Sequence, residues 1–233
     1  MDPNSVTSTA SDGVPSGIGC LREPVNALTH AAGVVLGAVG TVVLLFLADG
    51  DPWRTFSAVV YGLSMIVLYL ASTLLHALRV GADTLRRLRI LDHAAIFVLI
   101  AGSYTPIALV TLQESSPWVG WTVFAVVWGL ATLGVLFKLV WIGAPRWIST
   151  GLYLGMGWLA VVAIGPLLAA LPGAAIAWLV AGGVVYSLGA VVYATQRPDP
   201  FPNRFGYHEI WHLFVLAGSA CHFVLIARYV VAT

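Results

Sequence analysis

The chain has 233 residues, of which 59% are hydrophobic and only 9% are charged, and its formal net charge is +1. A soluble domain carries roughly 25% charged residues, so this composition excludes a soluble globular protein and indicates an integral membrane protein. The charge also argues against nucleic acid as a partner, because nucleic-acid binding needs a clustered basic face. Cys20 and Cys221 are too few to indicate a disulfide framework.

The first 19 residues differ in composition from the rest of the chain. They are rich in Ser, Thr, Gly and Pro, and they contain neither Lys or Arg nor an apolar core. These features exclude a standard cleaved signal peptide, and we predict that residues 1–19 form a disordered tail. Residues 20–233 are predicted to form a single transmembrane domain.

Seven apolar segments follow, each close to the roughly 20 residues that span a hydrocarbon core. They cover residues 28–48, 54–78, 91–112, 118–140, 148–170, 174–195 and 208–231. Proline, glycine and charged residues separate them, for example in the run from Arg79 to Arg89. Near the fifth boundary, Pro166 and Pro172 either kink one helix or separate two. The predicted fold class is an all-α membrane protein, a seven-transmembrane-helix bundle.

The basic residues predict the orientation of the bundle. With seven spans and a cytoplasmic N-terminus, all but two of the Lys and Arg residues fall on the cytoplasmic side, and Arg54 and Arg228 fall outside. Short loops rich in Lys and Arg stay in the cytoplasm. We therefore predict a multi-pass protein of the cell inner (plasma) membrane with its N-terminus cytoplasmic and its C-terminus outside.

Two histidines at the start of the seventh segment have the spacing of metal ligands. His208 and His212 lie four residues apart, which places them on one helical face about 5–6 Å apart at Cβ. Histidines within a membrane are costly unless they are paired or coordinated. A pair of polar residues at a helix end is the structural alternative.

Other polar residues are predicted at the same depth. His76 lies at the end of the second segment, Asp92 at the start of the third, and Glu23, Asn26 and His30 share a face of the first. Three histidines with an open fourth position are typical of catalytic zinc sites. We therefore predict that Zn²⁺ binds to His76, His208 and His212.

The remaining polar residues are assigned supporting roles. Asp92 is a candidate base for a metal-bound water, although an acid in a first helical turn also complements the helix dipole. Ser72, one turn before His76, is a candidate oxyanion donor or makes a back-bond to its own helix. His93 is expected beside the site, and Glu23, Asn26 and His30 form either a polar lock or a solvated helix start. His222 lies about 15 Å deeper, outside the ligand set.

These residues form a pattern that resembles the progestin and adipoQ receptor (PAQR) superfamily, in its bacterial hemolysin III branch. The pattern consists of Glu23-x2-Asn26-x3-His30, Ser72-x3-His76, Leu91-Asp92-His93 with residues 102–106, residues 205–212, Ala217-Gly218-Ser219 and His222-Phe223. The match covers the first, second, third and seventh segments and agrees with the length of the chain.

The resemblance implies a seven-helix bundle with a zinc ion near its cytoplasmic face, bound at positions matching His76, His208 and His212. It also implies that the residue matching Asp92 reaches the metal water. The superfamily is similar to alkaline ceramidases, zinc-dependent lipid amidases, and its bacterial members are associated with membrane lipid homeostasis.

Three hypotheses about function follow. The first is a zinc-dependent hydrolase of a lipid amide or ester, with a membrane lipid as partner, its acyl chain in the helix bundle, Asp92 as base and Ser72 at the oxyanion. The second is a non-enzymatic sensor or regulator with structural zinc. The third takes His208-Glu209-x-x-His212 as an intramembrane metalloprotease motif with Glu209 as base, although His93 replaces the glycine of the membrane-protease Leu-Asp-Gly signature. Protein partners are not indicated.

Overall fold

The computed structural model describes residues 21–201 and 205–232. Within these ranges the chain forms seven helices that are long and apolar enough to cross a membrane: α1 (Pro24–Leu47), α2 (Pro52–Ala77), α3 (Ala82–Ser115), α4 (Pro117–Val140), α5 (Arg146–Ala170), α6 (Gly173–Thr195) and α7 (Tyr207–Val231). The described residues contain no extended strand. The predicted seven-helix fold class is confirmed, and the tail predicted for residues 1–19 lies outside the described residues.

Proline residues define the start of several helices. Pro24, Pro52 and Pro117 each occupy the first turn of a helix, where the missing N–H would have no partner and the fixed φ suits the helix. At the start of α2 the Asp51 carboxylate also accepts the backbone N–H of Arg54 at 2.8 Å. These starts give α1 and α2 a short connection, so the two helices are antiparallel neighbours.

The third helix begins earlier than the sequence predicted. It starts at Ala82 rather than at residue 91, so most of the run from Arg79 to Arg89 is helical rather than a loop. Hydropathy identifies only apolar segments, and the first part of α3 is a polar helix, so its start was not recognised. As a result α3 carries Arg89 and Asp92 on one continuous rigid element.

The boundary near Pro166 and Pro172 separates two helices. α5 ends at Ala170, and Pro172 is the N-cap of α6, while Pro166 lies within α5. Between Trp158 and Ala163 the α5 backbone narrows to a 3₁₀ helix. The Tyr104 hydroxyl of α3 accepts the N–H of Ala160 at 2.8 Å and donates to the Gly157 carbonyl at 2.6 Å. It thereby satisfies backbone groups that no water could reach in a membrane.

Close packing and one hydrogen-bonded cluster hold α2 against α1 and α7. Gly33 of α1 lies against the Tyr69 ring, where an added Cβ would be only 2.6 Å from Tyr69 Cδ1. The Tyr69 hydroxyl donates to Ser219 Oγ of α7 at 2.7 Å, and the Tyr186 hydroxyl of α6 lies 2.8 Å from the same oxygen. These contacts fix the register of α2 and α7, on which the candidate metal centre depends.

Candidate metal centre

Three histidines converge where α2 ends and α7 begins. The candidate ligand atoms of His76, His208 and His212 all lie within 4.8 Å of one another, and the Nε2 atoms of His76 and His208 are 3.4 Å apart. Two imidazole nitrogens on one tetrahedral zinc ion, each at 2.0–2.1 Å, would be about 3.3–3.4 Å apart. The histidines predicted from the sequence therefore meet in space, and this buried group could hold a metal ion.

Glu23 orients the His76 imidazole. Its carboxylate makes a hydrogen bond with His76 Nδ1 and an ion pair with Arg22 at 3.2 Å. The hydrogen bond with His76 lowers the pKa of the Glu23 carboxyl to about 2, so the ionised carboxylate can only accept. His76 Nδ1 must then donate, and the Nε2 lone pair is directed to the other two histidines. Carboxylates commonly fix metal-binding histidines in this way.

We expect Glu23→Gln to weaken zinc binding by about 10- to 100-fold, because a neutral amide neither fixes the His76 tautomer nor increases its basicity. The measurement is a zinc titration of the purified chain against a competing fluorescent chelator. Glu114→Gln, which neutralises an exposed acid far from the histidines, is the matched control. A change of less than twofold in Glu23→Gln would show that Glu23 does not support the centre.

His30 and Thr29 of α1 enclose the His212 side of the group. The His30 ring stacks on the His212 ring at a centroid distance of 3.6 Å and an interplanar angle of 9°. The Thr29 hydroxyl lies 3.5 Å from His212 Nδ1. His30 therefore contacts the candidate ligand His212 directly, which agrees with the prediction that His30 lies near the site. Thr29 was missed, because a single threonine in an apolar helix gives no signal in the sequence.

Glu209 is engaged in capping α7. One of its carboxylate oxygens accepts the backbone N–H of Gly206 at 2.8 Å, and the other accepts the Asn26 side-chain amide at 2.9 Å. These bonds join the starts of α1 and α7. Each oxygen thus already accepts a bond that holds the side chain at the helix start, which weighs against the metalloprotease hypothesis because that hypothesis needs Glu209 as a base. Glu23, Asn26 and His30 all contact the site region; Asn26 and His30 are buried, whereas the Glu23 side chain is 40% exposed.

Asp92 lies beside the histidine group in a pair with His93. His93 Nδ1 lies 3.0 Å from Asp92 Oδ2 and makes a hydrogen bond with the Arg89 carbonyl at 2.9 Å. The Tyr153 hydroxyl of α5 donates to the His93 backbone carbonyl at 2.9 Å. In the described part of the chain, nothing donates to Asp92 Oδ1. One carboxylate oxygen of Asp92 is therefore available to exchange a proton.

An apolar cavity of about 130 Å³ opens beside the histidine group. Asp92 and Ser72 line it near the histidines, and His222 lines it deeper along α7. The helix rise puts His208 and His222 about 21 Å apart along the axis. The cavity therefore covers much of the roughly 30 Å hydrocarbon thickness, which suits an elongated apolar molecule.

Several polar groups on this cavity lack hydrogen bonds within the described ranges. They are the Ser72 and Thr150 hydroxyls and both ring nitrogens of His30 and of His222. The back-bond considered for Ser72 is therefore not made. The Leu179 carbonyl is near His222, but the geometry is not that of a hydrogen bond. Buried polar groups normally have partners, so a ligand with hydrogen-bonding groups would satisfy this cavity.

The family model for Haemolysin-III related proteins matches residues 18–223 of the chain. The "Hemolysin-3 homolog" of Bacillus subtilis (strain 168) is 42% identical over 212 residues, which are 90% of this chain and 95% of that protein. "Hemolysin-3" of Bacillus cereus is 41% identical, with 91% and 93% covered. The human "Monocyte to macrophage differentiation factor" is 28% identical, with 90% and 85% covered. These matches agree with seven spans in a multi-pass protein of the plasma membrane.

Proposed function

The chain belongs to the haemolysin-III related family, and we propose that it is a zinc-dependent hydrolase that cleaves the amide or ester bond of a membrane lipid. Its role would be in membrane lipid homeostasis. The bound partner would be a lipid whose acyl chain occupies the apolar cavity and whose carbonyl carbon lies next to the histidine group.

One observation carries this proposal: the three-histidine group adjoins a cavity that also holds an unengaged carboxylate oxygen and a free hydroxyl, from Asp92 and Ser72. A structural metal site would be closed by a fourth protein ligand. Among the described residues the group has three members. This combination supports hydrolysis better than a purely structural role.

His76, His208 and His212 would hold the zinc ion through neutral imidazoles, a donor set that suits Zn²⁺. When bound, the ion would polarise the substrate carbonyl and lower the pKa of a coordinated water to near 7. Glu23 and His30 would keep the histidines in place through the hydrogen bond with His76 and the stacking on His212. The apolar wall of the cavity would exclude bulk water from the reacting bond.

Asp92 and Ser72 would carry out the proton transfer and charge stabilisation. Asp92 Oδ1 would accept a proton from the attacking water and return it to the leaving nitrogen or oxygen, giving a free fatty acid and an amine or alcohol. His93 would hold Asp92 Oδ2 and leave Oδ1 free. The Ser72 hydroxyl would donate to the oxyanion that develops on the carbonyl oxygen.

The proposal is tested with the purified full chain in nanodiscs containing either a long-chain ceramide or a phosphatidylglycerol. We expect the zinc-loaded protein to release free fatty acid from at least one lipid, detected by mass spectrometry. Dipicolinate should stop the release, and added zinc, but not magnesium, should restore it. One tightly bound metal ion per chain with no fatty acid released from either lipid would reject the hydrolase proposal.

The alternative is a sensor or regulator with structural zinc. This alternative is favoured because the candidate ligands come from two helices. A metal bound to His76 of α2 and His208 of α7 would join residues that are 132 positions apart in the chain. Lipid in the cavity could then shift the packing of α2 against α7. In that case the protein would have no hydrolase activity, and chelation would change only the conformation of the bundle.

A further inference from the structure

A second, polar cleft adjoins the apolar cavity at the same end of the bundle. Asp92, His93, Tyr193 and His208 line both spaces, so both spaces adjoin the histidine group. We call this space the basic cleft, because its walls carry the side chains of Arg22, Arg89, Lys138 and Arg146.

Lys138 is a buried cation without a protein anion. It is the only lysine in the chain, and it is 1% exposed. Its Nζ donates to Ser149 Oγ at 2.5 Å and lies 5.2 Å from the centre of the Phe137 ring. No carboxylate lies within ion-pair distance of it in residues 21–201 and 205–232. An ammonium group has three donors, and burying one without a counter-charge is costly.

The two neighbouring arginines of the basic cleft are also without carboxylate partners in the described ranges. The Arg146 guanidinium lies 5.9 Å from the centres of both the Tyr193 and Tyr207 rings, which hold it by cation–π contact. Arg89 is one turn before His93 on α3 and is exposed to the cleft. The walls from α3, α4 and α5 therefore present three unpaired cations.

The acids of the basic cleft are engaged with groups other than these three cations. Glu23 pairs with Arg22 and His76, Asp92 with His93, and Glu209 accepts from Asn26 and Gly206. The remaining acid, Asp199, lies beside Gly206 in the loop between α6 and α7. The formal charges of the cleft therefore balance, but in the described ranges none of these carboxylates forms an ion pair with Lys138, Arg146 or Arg89.

The depth of these cations fits lipid phosphate. Lys138 is two residues from the end of α4, and Arg146 is the first residue of α5. Both therefore lie where the headgroups of a bilayer begin, and basic pockets between transmembrane helices are known to bind anionic headgroups. An isolated phosphate ion would use the basic cleft alone, whereas a phospholipid would use the basic cleft and the apolar cavity together.

We propose that the basic cleft binds the phosphate of an anionic phospholipid through Lys138, Arg146 and Arg89, with an acyl chain in the apolar cavity. Building on the proposed function, this assignment makes a phosphate-bearing lipid the substrate class of the hydrolase rather than a neutral lipid such as ceramide. The acyl ester would then lie between the two spaces, at the histidine group.

The test is native mass spectrometry of the full chain in detergent, titrated with dioleoylphosphatidylglycerol, dioleoylglycerol or inorganic phosphate. We expect the phospholipid to bind at least tenfold more tightly than dioleoylglycerol, and inorganic phosphate to compete only weakly. Lys138→Met and Arg146→Gln should each weaken phospholipid binding about tenfold or more, because each removes a charge-assisted hydrogen bond. Arg228→Gln removes an exposed cation at the opposite end and should leave the affinity unchanged.

Stability supplies a second readout for Lys138→Met. Removing a buried, unpaired charge should raise the unfolding temperature of the lipid-free protein and abolish the further increase that phosphatidylglycerol gives to the wild type. Equal binding of phosphatidylglycerol and dioleoylglycerol, or an unchanged affinity in Lys138→Met, would overturn the proposal. So would inorganic phosphate binding as tightly as the phospholipid. Because binding is measured without turnover, these outcomes are independent of a failure to detect hydrolysis.

Discussion

Asp92→Asn is expected to retain one zinc ion per chain and to lose about 10²- to 10⁴-fold in turnover of a long-chain lipid. The loss corresponds to that of a general base that accepts the proton of the attacking water. Asparagine keeps the size of the side chain and can still place an oxygen next to His93 Nδ1, which lies 3.0 Å from Asp92 Oδ2, but it cannot take up a proton. The packing of α3 and the metal ligands should therefore be unaffected.

The measurement combines elemental analysis with a fatty-acid release assay on the same preparation. Asp83→Asn is the matched control, since Asp83 is an exposed acid at the start of the same helix and its replacement should change neither quantity. If Asp92→Asn turned over substrate at the wild-type rate, another group would be the base. If it lost the metal, Asp92 would instead be a ligand.

His76→Ala is expected to reduce the zinc content from near one ion per chain to near zero. This variant removes the one ligand that α2 contributes and leaves two on α7. A ligand at 100 times its dissociation constant stabilises by about 2.7 kcal/mol, and about 1 kcal/mol corresponds to roughly 2–4 °C at this chain length. The unfolding temperature in detergent should fall by roughly 5–10 °C.

Chelation separates loss of metal from damage to the packing. Dipicolinate should lower the unfolding temperature of the wild type to that of His76→Ala and should have no effect on the variant. His222→Ala is the control, because it removes a histidine of α7 whose ring nitrogens are buried but which lies outside the ligand group, and it should keep its zinc. An equal response of wild type and His76→Ala to the chelator would rule out metal binding by His76.

The helices of the bundle were predictable from hydropathy and from the proline, glycine and charged residues that separate the apolar segments. Every predicted span end agrees with the structure to within four residues except the start of α3. That exception has a physical reason: the first part of α3 is helical but carries Arg86, Arg87 and Arg89, so no hydropathy criterion can include it. The alternative of one kinked helix at Pro166 and Pro172 could not be decided, because proline is tolerated in membrane helices when other groups satisfy the backbone.

The candidate metal ligands were predictable for a different reason. The spacing of His208 and His212 requires one helical face, and the alternation of helix direction brings His76 to the same depth. Depth does not determine which helices are neighbours, so the contact between His76 and His208 needed the structure. Ser72 illustrates the limit further, because a serine in an apolar helix usually bonds its own backbone, whereas here the hydroxyl is free.

The basic cleft was not foreseen. Its signal in the sequence was the single lysine of the chain, which by itself indicates only the orientation of the bundle. The burial of Lys138 results from the way the end of α4 packs against Ser149 and Tyr153 of α5. A pattern within one helix does not contain that information, because helix rotation is set by packing between helices.

The separation of the histidines in the chain has a consequence for biogenesis. α1 and α2 are adjacent, so Glu23 can pair with His76 as soon as these two helices have been inserted. His208 follows 132 residues after His76, a delay of roughly 7–26 s at translation rates of about 5–20 residues per second. Throughout that interval the nascent chain has only one of its three candidate ligands. Metal capture at this centre would therefore mark the completed insertion of α7, and a chain whose α7 fails to insert could not assemble the centre.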